Sequence, residues 1–593
     1  MLALAAVPTA AQAQRVDSIV AFGDSYADDG NLFEILGFNP APLVYPTGRF
    51  SGGTNYIDTL SLILGVPVEN FAIGGALTDN TNTNGPGLPG FTFEYASFLA
   101  GGGGVFPTVS GTFDANDLVT FSIGGNDARF YQQTGGTLAG APAAAAVSVA
   151  SATTGLNALV GAGAQNISFL AGNTSILPEI AADPSAQAIR NAYSTTFNNG
   201  MQTVLAGYAA NGVIVNYLDL TLIGQQITAN PGAYGLTSAG ACAPAIQCIT
   251  DGAYNNQFLF YVDNLHLTSA GFAIVGRYVA AQLTAPLTLQ APSDAGLDTA
   301  RQFGRTLSSR LDLSGRSAPS GIRLFVIGDT FSRDLARSGT NDAFDIDGVG
   351  ATAGVELGFA GGAAGIAANY TRPRVRFGND AFRANGRSYQ IGGYAGIASG
   401  GAFAQGHIGY GQDKYRMTRT GVVDAMTARP DGSHLLAGAK AGYLVPLGSL
   451  EVGPVAALDY AKAKVDAYVE DGDPALTLSV AKQSFKSLTG NLGIEARGSF
   501  GGSGTTLRPY ITALLEKDLA GDGRAAVYAQ TSAPTIVNRF EYPDRSKKMY
   551  GRVAGGGRAE ILSGVDLDAV IATTFGKKDG NELSGHLGLN VGF

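Results

Sequence analysis

Ser18-Ile19-Val20-Ala21-Phe22-Gly23-Asp24-Ser25 decides the fold of the first half of this chain. A short apolar run that ends in a glycine is typical of a buried strand in a parallel sheet, and here it leaves Ser25 at the strand's carboxyl end. Similar runs occur at residues 118–123 and 213–218. Strands that alternate with helices predict an α/β three-layer domain with a parallel sheet between helices. The helix-compatible segments are residues 56–64, 143–161, 185–209 and 268–283.

A serine hydroxyl is a poor nucleophile until a base takes its proton, and imidazole is the usual base. Between Arg15 and Pro292 the sequence contains a single histidine, His266, which stands three residues after Asp263. If this segment hydrolyses its substrate through a serine, His266 is therefore the only candidate base. Parallel sheets collect their chemistry in loops beyond the strand carboxyl ends, where Ser25 and Asn126 are both expected.

Four short motifs follow one another in a fixed order. They are Gly23-Asp24-Ser25, Asn70-Phe71-Ala72-Ile73-Gly74-Gly75, Gly124-Gly125-Asn126-Asp127 and Asp263-Asn264-Leu265-His266. Each motif alone is weak, but together they resemble the GDSL esterase/lipase family, also called SGNH hydrolases. The string Thr47-Gly48-Arg49-Phe50-Ser51 and the continuation of the first motif to Asn31 strengthen the resemblance. Tyr26 stands where the family name implies leucine, and we expect it to change only the local packing.

The resemblance implies acyl-transfer chemistry on three side chains. Ser25 attacks the ester carbonyl, and His266 removes the serine proton and returns one to the leaving alcohol. Asp263 orients the imidazole and stabilises its charged form. No cofactor and no metal are expected, because His266 is the only histidine of this segment and both cysteines pair more plausibly with each other.

By the same resemblance, three donors bind the developing oxyanion. They are the backbone N–H of Ser25, the backbone N–H of Gly75 and the side-chain amide of Asn126, with Gly74 as the neighbouring alternative to Gly75. We expect a glycine there because the missing Cβ lets substrate approach the backbone closely.

Other polar residues of the motifs are interpreted as structural. Asp24 and Asp127 are expected to bind neighbouring N–H groups in tight loops, whereas Asp28 and Asp29 are expected to be solvated. His407, His434 and His586 lie in the second half and receive no role. The sequence does not fix the acyl chain, and we expect residues 85–104 and 143–161 to cover its site.

The start of the chain and its two cysteines indicate export. Residues 1–13 resemble the end of a signal peptide with an A-x-A cleavage site before Gln14, although a flexible apolar terminus is the alternative. Cys242 and Cys248 are expected to form a small local disulfide in an exported protein, with two free thiols as the weaker alternative. The sequence contains no run of eighteen or more apolar residues, so no transmembrane helix is predicted.

Charge argues against nucleic acid as a partner. Between Arg15 and Pro292 there are five arginines, no lysine and 17 acidic residues, a net charge of −12. Binding to phosphates needs clustered lysine and arginine, which this segment lacks.

After residue 322, apolar residues alternate with small or polar residues in segments of about ten residues. The last segment is Leu587-Gly588-Leu589-Asn590-Val591-Gly592-Phe593. This pattern is typical of a transmembrane antiparallel β-barrel, with a soluble all-β domain as the alternative. Of thirteen candidate segments, the one at residues 527–537 is broken by Pro534 and is expected to be a loop, which leaves about twelve strands. Residues 294–313 predict a lone helix. The expected domains are residues 14–292, a linker helix at 293–316 and a barrel at 317–593.

This order of domains resembles the GDSL-type autotransporter esterases of Gram-negative outer membranes. The resemblance implies that the linker helix threads the barrel, that the hydrolase is displayed at the cell surface, and that the chain exports itself. The implied partners are an ester or lipid substrate, outer-membrane lipid and the outer-membrane assembly machinery, for a monomer. We expect a passenger cut after residue 316 to fold alone. The alternatives are an acyltransferase on the same scaffold and a non-catalytic adhesin, although no solenoid repeat is visible.

Overall fold

The computed structural model describes residues 16–37, 44–314, 320–502, 505–521, 523–544, 547–578 and 580–593. The expected signal-peptide remnant at residues 1–13 lies outside the described residues, as do residues 315 and 316 of the expected linker.

The first domain, here called the passenger, contains a parallel five-stranded sheet. The spatial order of its strands is β2-β1-β3-β4-β5, so β2 and β5 are the edges. Alternate residues of β1 face opposite layers, Val20 and Phe22 towards one apolar cluster and Ile19 and Ala21 towards the other. The strands are Ser18–Gly23 (β1), Val68–Asn70 (β2), Asp117–Ser122 (β3), Asn166–Ala171 (β4) and Ile214–Asp219 (β5).

Helices cover both faces of this sheet, which confirms the three-layer α/β expectation. Buried residues of α3, α5 and α6 pack with Phe22, and those of α2, α7 and α10 pack with Ile19. The helices of the passenger are Asn31–Leu36 (α1), Tyr56–Leu64 (α2), Phe91–Leu99 (α3), Gly125–Gln133 (α4), Ala141–Gly161 (α5), Pro184–Ala210 (α6), Leu220–Ala229 (α7), Ala245–Thr250 (α8), Gly252–Asn255 (α9) and Ser269–Thr284 (α10), and a further helix, Ala291–Ser314 (α11), follows them.

Within the described residues, twelve antiparallel strands close into a barrel, because the first strand, Gly321–Leu335, pairs with the last, Glu582–Gly592. The expected strand number is confirmed. Leu324 and Val326 point outwards and are about half exposed, whereas Phe325 and Ile327 are buried, as in a barrel surrounded by lipid. The other strands are Phe344–Phe359, Gly362–Phe377, Phe382–Ser399, Ala402–Arg419, Asp431–Tyr443, Leu450–Val465, Gln483–Gly498, Thr505–Ala520, Tyr550–Leu562 and Val565–Phe575.

Helix α11 lies inside the barrel. Its apolar stripe is buried, and Arg310, on another face, donates to Asn590 at 2.5 Å and contacts Asp568 of the barrel wall. By length and composition, Ala141–Gly161 and Ser269–Asp312 are apolar enough to cross a membrane, which the sequence analysis did not anticipate. The first packs within the passenger, and the second runs from the passenger into the barrel.

A small second sheet, here called the cap sheet, joins the barrel to the passenger. Its strands are Tyr468–Val469, Leu478–Val480, Ala525–Gln530 and Asn538–Glu541. The expectation of a loop at residues 527–537 is therefore wrong for residues 527–530, which belong to a strand, whereas residues 531–537 do connect two strands. Residues there pair with each other and with the excursion near residue 479, outside the barrel wall.

Candidate active site

Ser25 stands in a tight turn directly after β1. Gly23 has a φ of +127°, and a Cβ on it would lie 2.0 Å from the carbonyl oxygen of Ser122, so only glycine is tolerated. The Asp24 N–H donates to that same carbonyl at 2.9 Å, while the Asp24 carboxylate accepts the N–H of Tyr26 at 3.1 Å. These bonds fix the serine in a cleft, where it is 7% exposed.

The structure brings the three expected catalytic side chains into one chain of hydrogen bonds. Ser25 Oγ lies 2.7 Å from His266 Nε2, and His266 Nδ1 lies 2.8 Å from Asp263 Oδ2. Both contacts are within the range expected for a nucleophile, its base and the group that orients the base. Ser25 and His266 are 241 residues apart in sequence, and the loop after β1 and the loop before α10 bring them together.

Asp263 is held by more than the imidazole. Its Oδ1 accepts the backbone N–H groups of Leu265 at 2.8 Å and His266 at 2.9 Å, and its Oδ2 also accepts the phenol of Tyr45 at 2.6 Å. Burial raises the pKa of Asp263, but the hydrogen bonds from His266 and Tyr45 outweigh it and lower the pKa to about 2. Asp263 is therefore ionised throughout the neutral range.

The three expected oxyanion donors differ in what already binds them. Within the described residues, the backbone N–H groups of Ser25 and Gly75 have no protein acceptor. The Asn126 side-chain amide donates to the Ala76 carbonyl at 3.2 Å, which leaves its second N–H for a ligand. Asn126 lies in the first turn of α4, where the helix dipole adds positive potential.

Gly75 was expected to be a glycine so that substrate could approach its backbone, but the structure gives a different reason. Its φ is +80°, and a Cβ would lie 2.1 Å from Asn84 Nδ2 and 2.4 Å from Asn82 Oδ1. The space beside Gly75 is therefore filled by the loop at residues 82–84 and not by substrate. The N–H of Gly74 donates to Asp28, so Gly75 is the better candidate of the two glycines.

The expectation that Asp28 is solvated is wrong. Its side chain is fully buried and accepts four backbone N–H groups. Three come from Gly30, Asn31 and Leu32 at the start of α1, and the fourth comes from Gly74 at 2.5 Å. Asp28 thus ties the loop that carries Gly75 to the turn after Ser25. The signal in the sequence was the glycine two residues later, typical of an Asx turn. Asp29, also expected to be solvated, is half-buried.

Asp24 and Asp127 bind neighbouring loops. Burial raises the pKa of Asp24 to about 6, against the opposing hydrogen bond from the Tyr26 N–H. Asp127 accepts the N–H and the hydroxyl of Thr78, the latter at 2.6 Å, and the hydroxyl of Ser148 at 2.8 Å. It therefore ties α4 to the loop after Gly75 and to α5.

Tyr26 and the two cysteines complete the residues singled out in the sequence. The ring of Tyr26 packs edge-on against Phe272, with centroids 5.1 Å apart, and it lines the cleft beside His266. Cys242 and Cys248 form a disulfide in the loop around α8.

An open cleft lies beside Ser25 and His266. Its lining comes from the segments after β3, β4 and β5 and from the residues around His266. Among the described residues, neither 85–104 nor 143–161 lines this cleft, although both segments were expected to cover the acyl site.

The sequence did not predict Tyr45 or Glu179, which hold the catalytic loops in place through hydrogen bonds. Tyr45 has no motif of its own. Glu179 accepts one N–H from Nε and one from Nη2 of Arg129, at 2.7 and 3.0 Å, and also pairs with Arg190. The backbone N–H of Glu179 donates to the Asn264 carbonyl at 3.0 Å, which ties this cluster to the loop of His266.

Two family models match the chain. Residues 19–279 match "GDSL-like Lipase/Acylhydrolase", and residues 324–592 match "Autotransporter beta-domain". "Esterase EstA" of Pseudomonas aeruginosa and "Esterase EstA" of Pseudomonas putida are each 24% identical over 401 residues, which is 62% of this chain and 59% of theirs. The chain thus spans 59% of the length of these relatives. The translocator domain of the autotransporter NalP from Neisseria meningitidis covers 52% of this chain and 99% of its own, with 20% identity and a TM-score of 0.42.

Fold and site together define a two-domain protein with an α/β hydrolase-type passenger on a closed outer-membrane-type barrel. Residues 19–279 are similar to the GDSL-like lipase/acylhydrolase family, and residues 324–592 are similar to autotransporter beta-domains. The barrel places the protein in the outer membrane of a Gram-negative bacterium.

Proposed function

We propose that this protein is a serine esterase that hydrolyses carboxylic esters through an acyl-serine intermediate. The observation that carries the proposal is the hydrogen-bonded series from Ser25 through His266 to Asp263, with contacts of 2.7 and 2.8 Å. The match of residues 19–279 to an acylhydrolase family model and the naming of the two EstA relatives as esterases support it.

The geometry supports a two-step reaction. Ser25 Oγ attacks the ester carbonyl while His266 Nε2 takes its proton, and His266 then gives that proton to the leaving alcohol. Water next attacks the acyl-serine, with His266 again as the base, and the acid is released. Asp263 stays ionised and stabilises the imidazolium in both steps.

Charge on the carbonyl oxygen is stabilised by donors that the fold holds in place. The N–H groups of Ser25 and Gly75, which have no acceptor among the described residues, and the second N–H of Asn126 can donate to the oxyanion. Losing one such donor typically lowers the rate by about 10²–10³.

We also propose that the passenger stands on the outer surface of the cell. Helix α11 occupies the barrel, and the cap sheet packs against the passenger at one end of it. A passenger held in this way stays attached to the membrane. The barrel is proposed to be inserted by the outer-membrane assembly machinery, and the protein to act as a monomer.

The test is hydrolysis of p-nitrophenyl esters, from acetate to palmitate, by intact cells. We expect Ser25→Ala to lower activity at least about 10³-fold, because no other group replaces the nucleophile. Ser110→Ala, in an exposed loop, is the matched control and keeps full activity. Surface labelling with an antibody against the passenger checks equal display. Equal hydrolysis by wild type and Ser25→Ala at equal display refutes the proposed function.

A further inference from the structure

The cleft beside Ser25 is an apolar pocket that runs into the core of the passenger. Its floor consists of Ile227, Leu259 and Val275, each no more than 4% exposed. At its mouth stands Ile176, which is 48% exposed. Buried apolar lining behind a polar reaction centre suits a ligand with a polar head and a hydrocarbon tail.

One wall of the pocket is a single face of α7. Leu220, Ile223, Gly224 and Ile227 all line it, at the spacing that places residues on one side of a helix. From residue 220 to residue 227 this face is about 10 Å long, at about 1.5 Å per residue.

Gly224 lies where α7 meets the opposite wall. A Cβ on Gly224 would lie 3.6 Å from Ile176 Cδ1, which is ordinary contact distance. A larger side chain at this position has room for its Cβ, but its remaining atoms must enter the pocket. Gly224 therefore keeps the passage beside Ile176 open.

Charged lining residues belong to the segments that carry the catalytic groups. Asp24 precedes Ser25, His266 is the proposed base, and Arg129 lies one turn after Asn126 on α4, paired with Glu179. Among the described residues, the α7 wall contributes no charged side chain to the pocket.

We propose that the acyl chain of the ester lies along α7, that Gly224 admits it past Ile176, and that the enzyme prefers medium-chain acyl groups. This inference rests on the proposed function, because it places the acyl carbonyl at Ser25. With C–C bonds of about 1.5 Å, a zigzag chain advances roughly 1.3 Å per carbon, so a wall of about 10 Å accommodates about eight carbons.

The test compares kcat/KM for p-nitrophenyl acetate, octanoate and palmitate in the detergent-solubilised full chain. Wild type is expected to prefer octanoate. Gly224→Leu is expected to lower the octanoate-to-acetate ratio at least 30-fold, with acetate hydrolysis kept within about threefold. Leucine has a higher helix propensity than glycine, so the helix itself is not weakened. Gly207→Leu is the matched control, because Gly207 is an exposed helical glycine with open space around it, and its ratio stays that of wild type.

A second variant tests the floor of the pocket. Ile227→Ala deepens it, and the palmitate-to-octanoate ratio is expected to rise about tenfold. The proposal is overturned by a wild-type optimum at acetate or palmitate, or by unchanged ratios in both variants. Those outcomes leave the proposed function intact so long as Ser25→Ala abolishes acetate hydrolysis. Acetate hydrolysis that survives Ser25→Ala refutes the function itself.

Discussion

At the scale of single residues, Asp263 has more partners than an orienting carboxylate requires. One of its oxygens is shared between the imidazole of His266 and the phenol of Tyr45, and the other closes the turn of its own loop. The Tyr45 ring also packs edge-on to His266, with centroids 5.9 Å apart, and against Phe50 at 4.7 Å. Tyr45 is therefore a positioning residue that fixes the carboxylate against rotation.

Tyr45→Phe keeps this ring packing and deletes the hydrogen bond. A hydrogen bond to a charged group contributes about 1.5–3 kcal/mol, only part of which bears on the orientation of the imidazole. We expect kcat for p-nitrophenyl octanoate to fall about 3–10-fold, with KM unchanged within twofold.

The control removes a comparable phenol elsewhere. Tyr208→Phe deletes a 2.7 Å bond to Asn157 on the surface between α5 and α6. Steady-state kinetics of both variants distinguish a role of Tyr45 in hydrogen bonding to Asp263 from a role in packing alone. Equal kcat in Tyr45→Phe and Tyr208→Phe means that Tyr45 only packs.

At the scale of elements, the cap sheet protects an exposed strand edge. Strand β5 is an edge of the passenger sheet, and edges with unpaired peptide groups invite further pairing. The Asn538 side chain donates to the Val215 carbonyl and accepts the Val215 N–H, both at 2.8 Å. Gln530 accepts the Tyr217 N–H at 2.8 Å. Two side-chain amides thus replace a sixth strand.

Asn538→Ala leaves both peptide groups of Val215 buried without partners. Each unsatisfied buried group costs about 1–3 kcal/mol, so the two together cost about 2–6 kcal/mol, which at about 2 °C per kcal/mol lowers the unfolding midpoint by roughly 4–12 °C. Circular dichroism of the detergent-solubilised full chain at 222 nm follows the passenger helices as the temperature rises.

Arg539→Ala is the control, because Arg539 is 53% exposed and forms a surface ion pair with Glu541. Exposed pairs contribute little, so its midpoint should stay within about 1 °C of wild type. An Asn538→Ala midpoint equal to that of Arg539→Ala would contradict the protective role of the cap sheet.

Elements with strong local patterns were predictable from the sequence. Helix α2 was expected at residues 56–64 and is observed at Tyr56–Leu64, and three of the five passenger strands were found. Strand β2 has only three residues, too few for a pattern, and β4 was also missed. Residues 527–530 were expected in a loop, whereas their strand pairs with residues 478–480, about fifty residues away.

The same limit applies to the site. Ser25, His266 and Asp263 come together as expected, since each stands in a motif. Tyr45 contacts Asp263 across 218 residues, and the α7 wall of the pocket carries no motif. Contacts of this kind depend on how whole elements pack, which a local pattern does not encode.

At the scale of the whole molecule, the passenger and the barrel share their apolar cores. Ile214 of the passenger packs in one cluster with Phe540 and Tyr542 of the barrel domain. Asp473 accepts the phenol of Tyr278 at 2.6 Å and the amide of Gln226 at 2.9 Å. The catalytic domain therefore has a fixed orientation on its anchor.

This sharing changes where the passenger can be cut. A fragment that ends at residue 316 keeps all of α11, whose buried residues Leu297, Phe303 and Leu307 lose the barrel wall that covers them. A fragment that ends at residue 289 omits that helix. It exposes the surface around Ile214 and the groups that contact Asp473, but it has no uncovered helical stripe.

We therefore expect residues 14–289 to give a monomer that hydrolyses p-nitrophenyl acetate, and residues 14–316 to associate through the apolar stripe of α11. Size-exclusion chromatography gives the oligomeric state of each fragment, and the specific activity shows whether each one folds into an active enzyme. Replacing Leu297, Phe303 and Leu307 by serine in the longer fragment should restore the monomer. If the longer fragment is monomeric without the serine substitutions, the apolar stripe of α11 does not cause association and the prediction is wrong. If the shorter fragment does not fold, the apolar contacts around Ile214 are indispensable, and the passenger becomes a complete domain only on its barrel.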